Sequence, residues 1–154
     1  MTGERFREHV KKCRNKTCIC DKRSIVTVKE RGKIYNLNNP QNRYEICQIK
    51  TDPCLSPQGA PRCDYLLWVC DKDTVYLVEL KGSDSLRAVE QISETLDALK
   101  GDFVSFIVNA RIVVSRDSVP NIRNTPIYLR LNRKIEVTQG NLLIKTGEMT
   151  DKLA

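Results

Sequence analysis

Long apolar runs and histidine-based metal motifs are missing from this chain of 154 residues. No run reaches the roughly 18 consecutive apolar residues of a membrane-spanning helix, and the opening MTGERFREHVKK lacks the apolar stretch of a signal peptide. We therefore expect no membrane span and a cytoplasmic location. With 40% apolar and 29% charged residues, the sequence predicts one compact domain with a real core, spanning residues 1–154.

Seven cysteines are present, but none forms a CxxC pair, and the only histidine, His9, has no partner at metal-ligand spacing. An odd number of cysteines without a secretion signal favours reduced thiols. Cys63 and Cys70 lie in apolar, strand-like sequence typical of a core. The others are ambiguous, since a thiol-based metal or redox module could use them: Cys13, Cys18, Cys20, Cys47 and Cys54. We expect neither a structural disulfide nor a thiolate-bound metal.

Charge is unevenly distributed along the chain. Residues 1–50 contain 13 Lys or Arg against 5 Asp or Glu, residues 51–100 contain 5 against 9, and residues 101–154 contain 8 against 5. Basic flanks around an acidic middle suit a phosphate-binding protein that holds a cation with carboxylates, because the flanks attract a polyanion. The charge distribution alone is equally consistent with basic residues that merely keep the surface solvated.

The residue patterns predict an α/β fold. Apolar alternation and β-branched runs predict strands at 24–29, 44–50, 63–70, 74–80 and 103–115. A polar helix is predicted at 3–12, and an amphipathic helix at 84–100, which Ser83 or Asp84 can cap. The remaining stretches predict loops at 13–23, 36–43, 52–61 and 121–126, and two short basic strands or turns around Gly140-Asn141. This order favours a sandwich of helices around a mixed sheet.

The two central strands, 63–70 and 74–80, carry the clearest chemistry. If the turn between them takes two residues, Asp64 lies opposite Glu79, and Lys81 joins them on the same face. Two carboxylates about 5 Å apart repel each other by roughly 3 kcal/mol at an effective dielectric near 20, so a cation must compensate. Mg²⁺ compensates more fully than Lys81 and leaves the lysine available for chemistry. An ordinary Glu–Lys ion pair is the plainer alternative.

Arg62-Cys63-Asp64, with Glu79-Leu80-Lys81-Gly82 fifteen positions later, resembles the PD-(D/E)XK nuclease superfamily. The following Ala88-Val-Glu-Gln91 and the strand-like 110–116 strengthen the resemblance, which spans about residues 60–116. It implies a restriction-endonuclease-like α-β-β-β-α-β sandwich with a central mixed sheet flanked by helices. Cys63 stands where the motif has proline, and the acidic residue that many members carry on the first helix would be Glu4 or Glu8.

The resemblance implies a Mg²⁺- or Mn²⁺-dependent nuclease that hydrolyses phosphodiester bonds. Asp64 and Glu79 would be the metal ligands, with the backbone carbonyl of Leu80 as a third. Lys81 would activate the attacking water or stabilise the charge that develops on the phosphate. Gln91 would have a supporting catalytic part, although a flank position on an amphipathic helix accounts for it equally well.

Nucleic acid is the expected partner, with DNA favoured over RNA, and we expect no membrane partner. A homodimer is left open, because small nucleases of this kind frequently dimerise to cut two strands. The candidates for phosphate contacts, each of which could also be an ordinary surface residue, are Arg116, Arg130, Arg133, Lys134 and Lys145. The alternative function is a catalytically silent nucleic-acid-binding or assembly domain of the same fold. The presence of Asp64, Glu79 and Lys81 together argues against this alternative.

Overall fold

The computed structural model describes residues 8, 18–51, 63–101, 103–115 and 121–154, and only the backbone of Cys18. The elements of this part are β1 (Cys18–Asp21), β2 (Ile25–Glu30), β3 (Lys33–Asn38), β4 (Ile46–Lys50), β5 (Tyr65–Val69), β6 (Thr74–Lys81), α1 (Ser85–Ala98), β7 (Ile107–Val114), α2 (Pro126–Val137), β8 (Leu142–Thr146) and β9 (Glu148–Lys152). Neither helix is long and apolar enough to cross a membrane. The loop predicted at 52–61 and, apart from the helical Glu8, the helix predicted at 3–12 lie outside the described residues.

The larger sheet has six strands in the order β1-β4-β5-β6-β7-β8. The pairs from β1 to β6 are antiparallel, whereas β7 is parallel to β6 and β8 is parallel to β7. Parallel neighbours need a long crossover connection, and α1 and α2 lie in these two connections. The predicted α/β class with a central mixed sheet is therefore confirmed.

A smaller sheet contains β2, β3 and β9, with β3 in the middle. Its presence corrects the loop predicted at 36–43, because residues 36–38 belong to β3. Along β3 the buried side chains of Lys33, Tyr35 and Leu37 alternate with partly exposed ones. Asn36, which suggested a loop, lies on the more exposed side and donates hydrogen bonds to Glu148 and to the Thr150 hydroxyl.

The larger sheet is covered on both faces. One face packs against the two helices, through side chains such as Leu66, Leu77 and Ile92. The other packs against the smaller sheet, through side chains such as Leu67 and Val78. Strands that are buried on both sides read as continuous apolar runs, which explains why the central strands show no polar alternation.

The first helix agrees with the sequence and the second does not. α1 begins after Asp84, whose side chain accepts a hydrogen bond from the Arg87 N–H and so caps the helix. Of the two short basic strands or turns predicted around Gly140-Asn141, only the later one is found, as β8, and residues 126–137 form α2 instead. Thr125 caps it and Pro126 occupies its first turn, and its buried side chains are Tyr128, Leu131 and Ile135. This three- and four-residue spacing is the signal that the sequence prediction missed.

The expectation of no structural disulfide is wrong, because Cys20 and Cys47 are joined. Residues 13–23 were expected to be a connection, but 18–21 form β1, and the register with β4 places Cys20 directly opposite Cys47. Cys70 is buried as predicted, and its sulfur lies 3.6 Å from that of Cys47. Cys63 is also buried. Cys13 and Cys54 lie outside the described residues.

Candidate active site

The β5–β6 hairpin has the register that the sequence predicts. Tyr65 pairs with Val78 and Val69 pairs with Thr74, so the next step beyond the paired residues brings Asp64 opposite Glu79. The chain turns through a short 3₁₀ segment at Cys70–Lys72. This tight connection preserves the parity on which the prediction depends.

Each of the two carboxylates accepts a hydrogen bond from a backbone N–H of the segment that carries the other. The Asp64 N–H donates to Glu79 Oε1 at 3.0 Å, and the Leu80 N–H donates to Asp64 Oδ2 at 2.9 Å. Lys81 Nζ lies 3.6 Å from Glu79 Oε2. The open end of the hairpin thus brings together two acidic groups and one basic group, from segments fifteen residues apart.

These side chains belong to the helix-covered side of the sheet. Glu79 and Lys81 alternate with Leu80, and they share parity with Leu77, which packs against the helices. Leu80 itself packs toward the smaller sheet and turns its N–H to Asp64. Its carbonyl as a metal ligand stays a prediction.

Burial dominates the electrostatics of the pair. Glu79 is 1% exposed, and this burial, followed by the charge of Asp64, raises its pKa to about 8 although Lys81 acts in the opposite direction. Burial also raises the pKa of Asp64, against the hydrogen bond from the Leu80 backbone. Such a pair holds a proton readily, and a divalent cation would take the place of that proton.

Two charged residues near Asp64 were missed from the sequence. Glu30 raises the pKa of Asp64 and Lys50 lowers it, so both lie close enough for their charges to act on this carboxyl. Glu30 ends β2 and Lys50 ends β4. No local sequence signal links them to Asp64, because only the order and packing of the strands bring these ends together.

The supporting residues predicted on helices are Gln91 and one of Glu4 and Glu8. Gln91 lies in the middle of α1, where its backbone carbonyl accepts a hydrogen bond from the Thr95 hydroxyl. Its supporting role in catalysis stays a prediction. Glu4 lies outside the described residues, and Glu8 is described only as an exposed helical residue, so the choice between these two acids stays open.

The structure describes the surroundings of two predicted phosphate-binding residues. Lys134 forms an ion pair with Asp97 near the end of α1, and its contact with phosphate stays a prediction. Lys145 is aligned across β7 with Val113 and Leu80, so it lies on the opposite side of the sheet from Glu79.

The other three predicted phosphate contacts also stay predictions. Arg130 and Arg133 are exposed on α2, and Arg116 lies outside the described residues.

Within the described ranges, no three His, Cys, Asp or Glu side chains cluster as metal ligands. Asp64 and Glu79 could supply two carboxylate ligands, and Mg²⁺ in proteins keeps several waters beside such ligands.

Comparison of the chain with protein-family models, with curated proteins and with solved structures found no significant match. The case for a function therefore depends on the geometry and chemistry of the Asp64–Glu79 site.

Proposed function

We propose that this protein is a Mg²⁺-dependent nuclease of the PD-(D/E)XK type, which hydrolyses phosphodiester bonds of nucleic acid. The observation that carries the proposal is the interlocked carboxylate pair: the Asp64 N–H bonds to Glu79, and the Asp64 carboxylate accepts the Leu80 N–H. Lys81 next to this pair completes a set of two metal ligands and one general base or charge-stabilising group.

The arrangement of elements supports a restriction-endonuclease-like fold. β4, β5 and β6 follow one another as antiparallel neighbours, and α1 then leads to β7, parallel to β6. This β-β-β-α-β order is the one that the sequence resemblance implies. The acidic residues lie at the start of β5 and the end of β6, where that superfamily has its motif residues.

Each residue has a distinct task in the proposed reaction. Asp64 and Glu79 would hold Mg²⁺, which supplies charge stabilisation at the phosphate and a more acidic bound water. Lys81 is about one third exposed, so its ammonium group can reach a substrate at the surface. It would orient the attacking water or stabilise the developing negative charge. The formal net charge of +7 favours association with a polyanion.

One observation favours the silent binding domain as a second candidate. The Lys81–Glu79 contact of 3.6 Å could be a purely structural ion pair at the end of β6. In that case the acidic residues would matter for stability, and nucleic acid would bind to the basic surface without being cut.

The test is cleavage of labelled single- and double-stranded DNA and RNA with Mg²⁺, Mn²⁺ or EDTA. Asp64→Ala and Glu79→Ala should abolish metal-dependent cleavage and weaken Mn²⁺ binding, while Lys81→Ala should keep Mn²⁺ affinity and lose turnover. Asp71→Ala is the matched control, because it removes an exposed carboxylate at the closed end of the same hairpin, opposite the end that carries Asp64 and Glu79. Cleavage at the wild-type rate in either Asp64→Ala or Glu79→Ala, or no cleavage of any substrate by the wild type, would leave the silent domain as the better account.

A further inference from the structure

We propose that Thr51 and Thr95 are positioning residues, whose buried hydroxyl groups hold the backbone at Cys63 and thereby place the Asp64 carboxylate. This inference deepens the proposed function and rests on it. Asp64 lies one residue before β5, so the backbone-to-backbone hydrogen bonds that pair β5 with β6 do not hold it in place. The contacts that hold it come from other elements.

From the helix side, Thr95 reaches the residue before Asp64. The Cys63 N–H donates to Thr95 Oγ1 at 2.6 Å, and the Thr95 hydroxyl donates to the Gln91 carbonyl at 2.7 Å. A threonine in a helix commonly bonds back to the carbonyl four residues earlier, and that bond alone would mean little. Accepting an N–H from another segment is a separate interaction, and it ties α1 to the open end of the hairpin.

From the sheet side, Thr51 holds the other end of the same residue. It directly follows β4, and its hydroxyl donates to the Cys63 carbonyl. Its backbone N–H also faces the Asp64 carbonyl, at a longer 3.4 Å. Thr51 and Thr95 are 1% and 0% exposed, so water cannot replace either hydroxyl without rearrangement.

These contacts form one connected chain that ends at the candidate metal ligands. The two threonines bond to the backbone N–H and the backbone carbonyl of Cys63. The N–H of the next residue, Asp64, donates to Glu79, and the Asp64 carboxylate accepts the Leu80 N–H. Removing a hydroxyl leaves a buried polar group of Cys63 unsatisfied, and the backbone relaxes to satisfy it. Small displacements of a ligand are costly for metal affinity and rate.

The experiment compares Thr95→Val and Thr51→Val, which keep the side-chain shape but lose the hydroxyl, with Thr95→Ser and Thr51→Ser, which keep it. Thr74→Val is the matched control: Thr74 is also buried, but its hydroxyl bonds to the Lys72 carbonyl at the opposite end of β6. Three quantities are measured below the unfolding temperature of every variant: Mn²⁺ affinity, the turnover of nucleic acid, and the hydrogen-exchange rate of the Leu80 amide, which reports its bond to Asp64.

We expect both valine variants to lose about tenfold or more in Mn²⁺ affinity and turnover, with little change in KM, and to exchange the Leu80 amide faster. The serine variants should recover most of these losses, and Thr74→Val should resemble the wild type even if its unfolding temperature falls. Valine variants that match Thr74→Val in all three quantities would overturn the inference, as would serine variants that recover nothing.

The Leu80 amide keeps the two proposals distinguishable. If the wild type neither binds Mn²⁺ nor cleaves, the nuclease proposal fails, and with it the catalytic part of this inference. If the wild type cleaves while the valine variants keep its metal affinity, rate and Leu80 exchange, the nuclease proposal stands and the positioning role is refuted.

Discussion

The buried Glu79 carboxyl makes the metal-free protein lose stability as the pH rises. Its pKa is raised from the ordinary 4.5 to about 8 by burial and by the charge of Asp64. Between these two values the folded state binds a proton that the unfolded state has released. The contribution of Glu79 is therefore fully present below pH 4.5 and is lost as the pH rises through about 8. The difference in pKa corresponds to about 5 kcal/mol, at about 1.4 kcal/mol per pKa unit.

Glu79→Gln removes this titration with a small change in shape. The amide is uncharged at every pH, as the protonated carboxyl is, and its oxygen can still accept the Asp64 N–H. Relative to the wild type, the variant should therefore gain stability from pH 5 to about pH 8 and keep this gain at pH 9. Asp64 remains in both proteins, so its own raised pKa affects both curves in the same direction.

Urea unfolding in EDTA at pH 5 to 9 measures this difference, with the buried Trp68 as the fluorescent reporter. Glu90→Gln is the matched control, since it makes the same substitution at a half-exposed glutamate on α1 beside Arg87. If the free energies of unfolding of wild type and Glu79→Gln ran parallel from pH 5 to pH 9, Glu79 would ionise at its ordinary pKa and the reasoning from burial would be wrong.

Two other predictions concern the frame around the site. Gly140→Ala should lower the unfolding temperature strongly, because a Cβ atom there would lie 1.7 Å from the Val108 carbonyl oxygen. Gly82→Ala is the control and should not lower it, since a Cβ atom there meets open space. Equal unfolding temperatures of the two variants would contradict this close approach. Reduction of the Cys20–Cys47 disulfide, which links positions 27 residues apart, should lower the free energy of unfolding by about 3 to 4 kcal/mol. Cys20→Ser should make stability insensitive to reductant, and a wild type that is equally insensitive would count against the disulfide.

The parts of the fold that the sequence predicted correctly carry strong local signals. α1 combines an apolar stripe with the Asp84 cap, and β5 and β6 are apolar runs separated by a short polar turn. The missed elements carry weaker or misleading ones. β1 has four residues and gains its stability from pairing with β4. Asn36 in β3 bonds to Thr27 of the neighbouring β2 and to Glu148 of β9, which lies 112 residues away in sequence.

The same distinction applies to the candidate site. A tight turn fixes the register of a hairpin, so the opposition of Asp64 and Glu79 could be predicted from spacing alone. Thr51, Thr95 and Glu30 could not be predicted, because they belong to three separate elements. Their approach to Asp64 depends on the order of the strands, on the packing of α1 against them, and on the smaller sheet behind them.

The burial of Glu79 also separates the two candidate functions. The residues of β6 on either side of Glu79 are buried, and Glu79 itself is 1% exposed, so its carboxyl group is costly unless a cation compensates its charge. Lys81 compensates incompletely, because the pKa of Glu79 stays raised despite the lysine, and Asp64 adds a second negative charge. A structural ion pair would need one acid and one base, and an apolar residue in place of Glu79 would serve the core better. Glu79 is buried and Asp64 half-buried. Together with Glu30 they carry three negative charges against the two positive charges of Lys81 and Lys50. This excess fits a divalent cation, and it favours the nuclease over the silent domain.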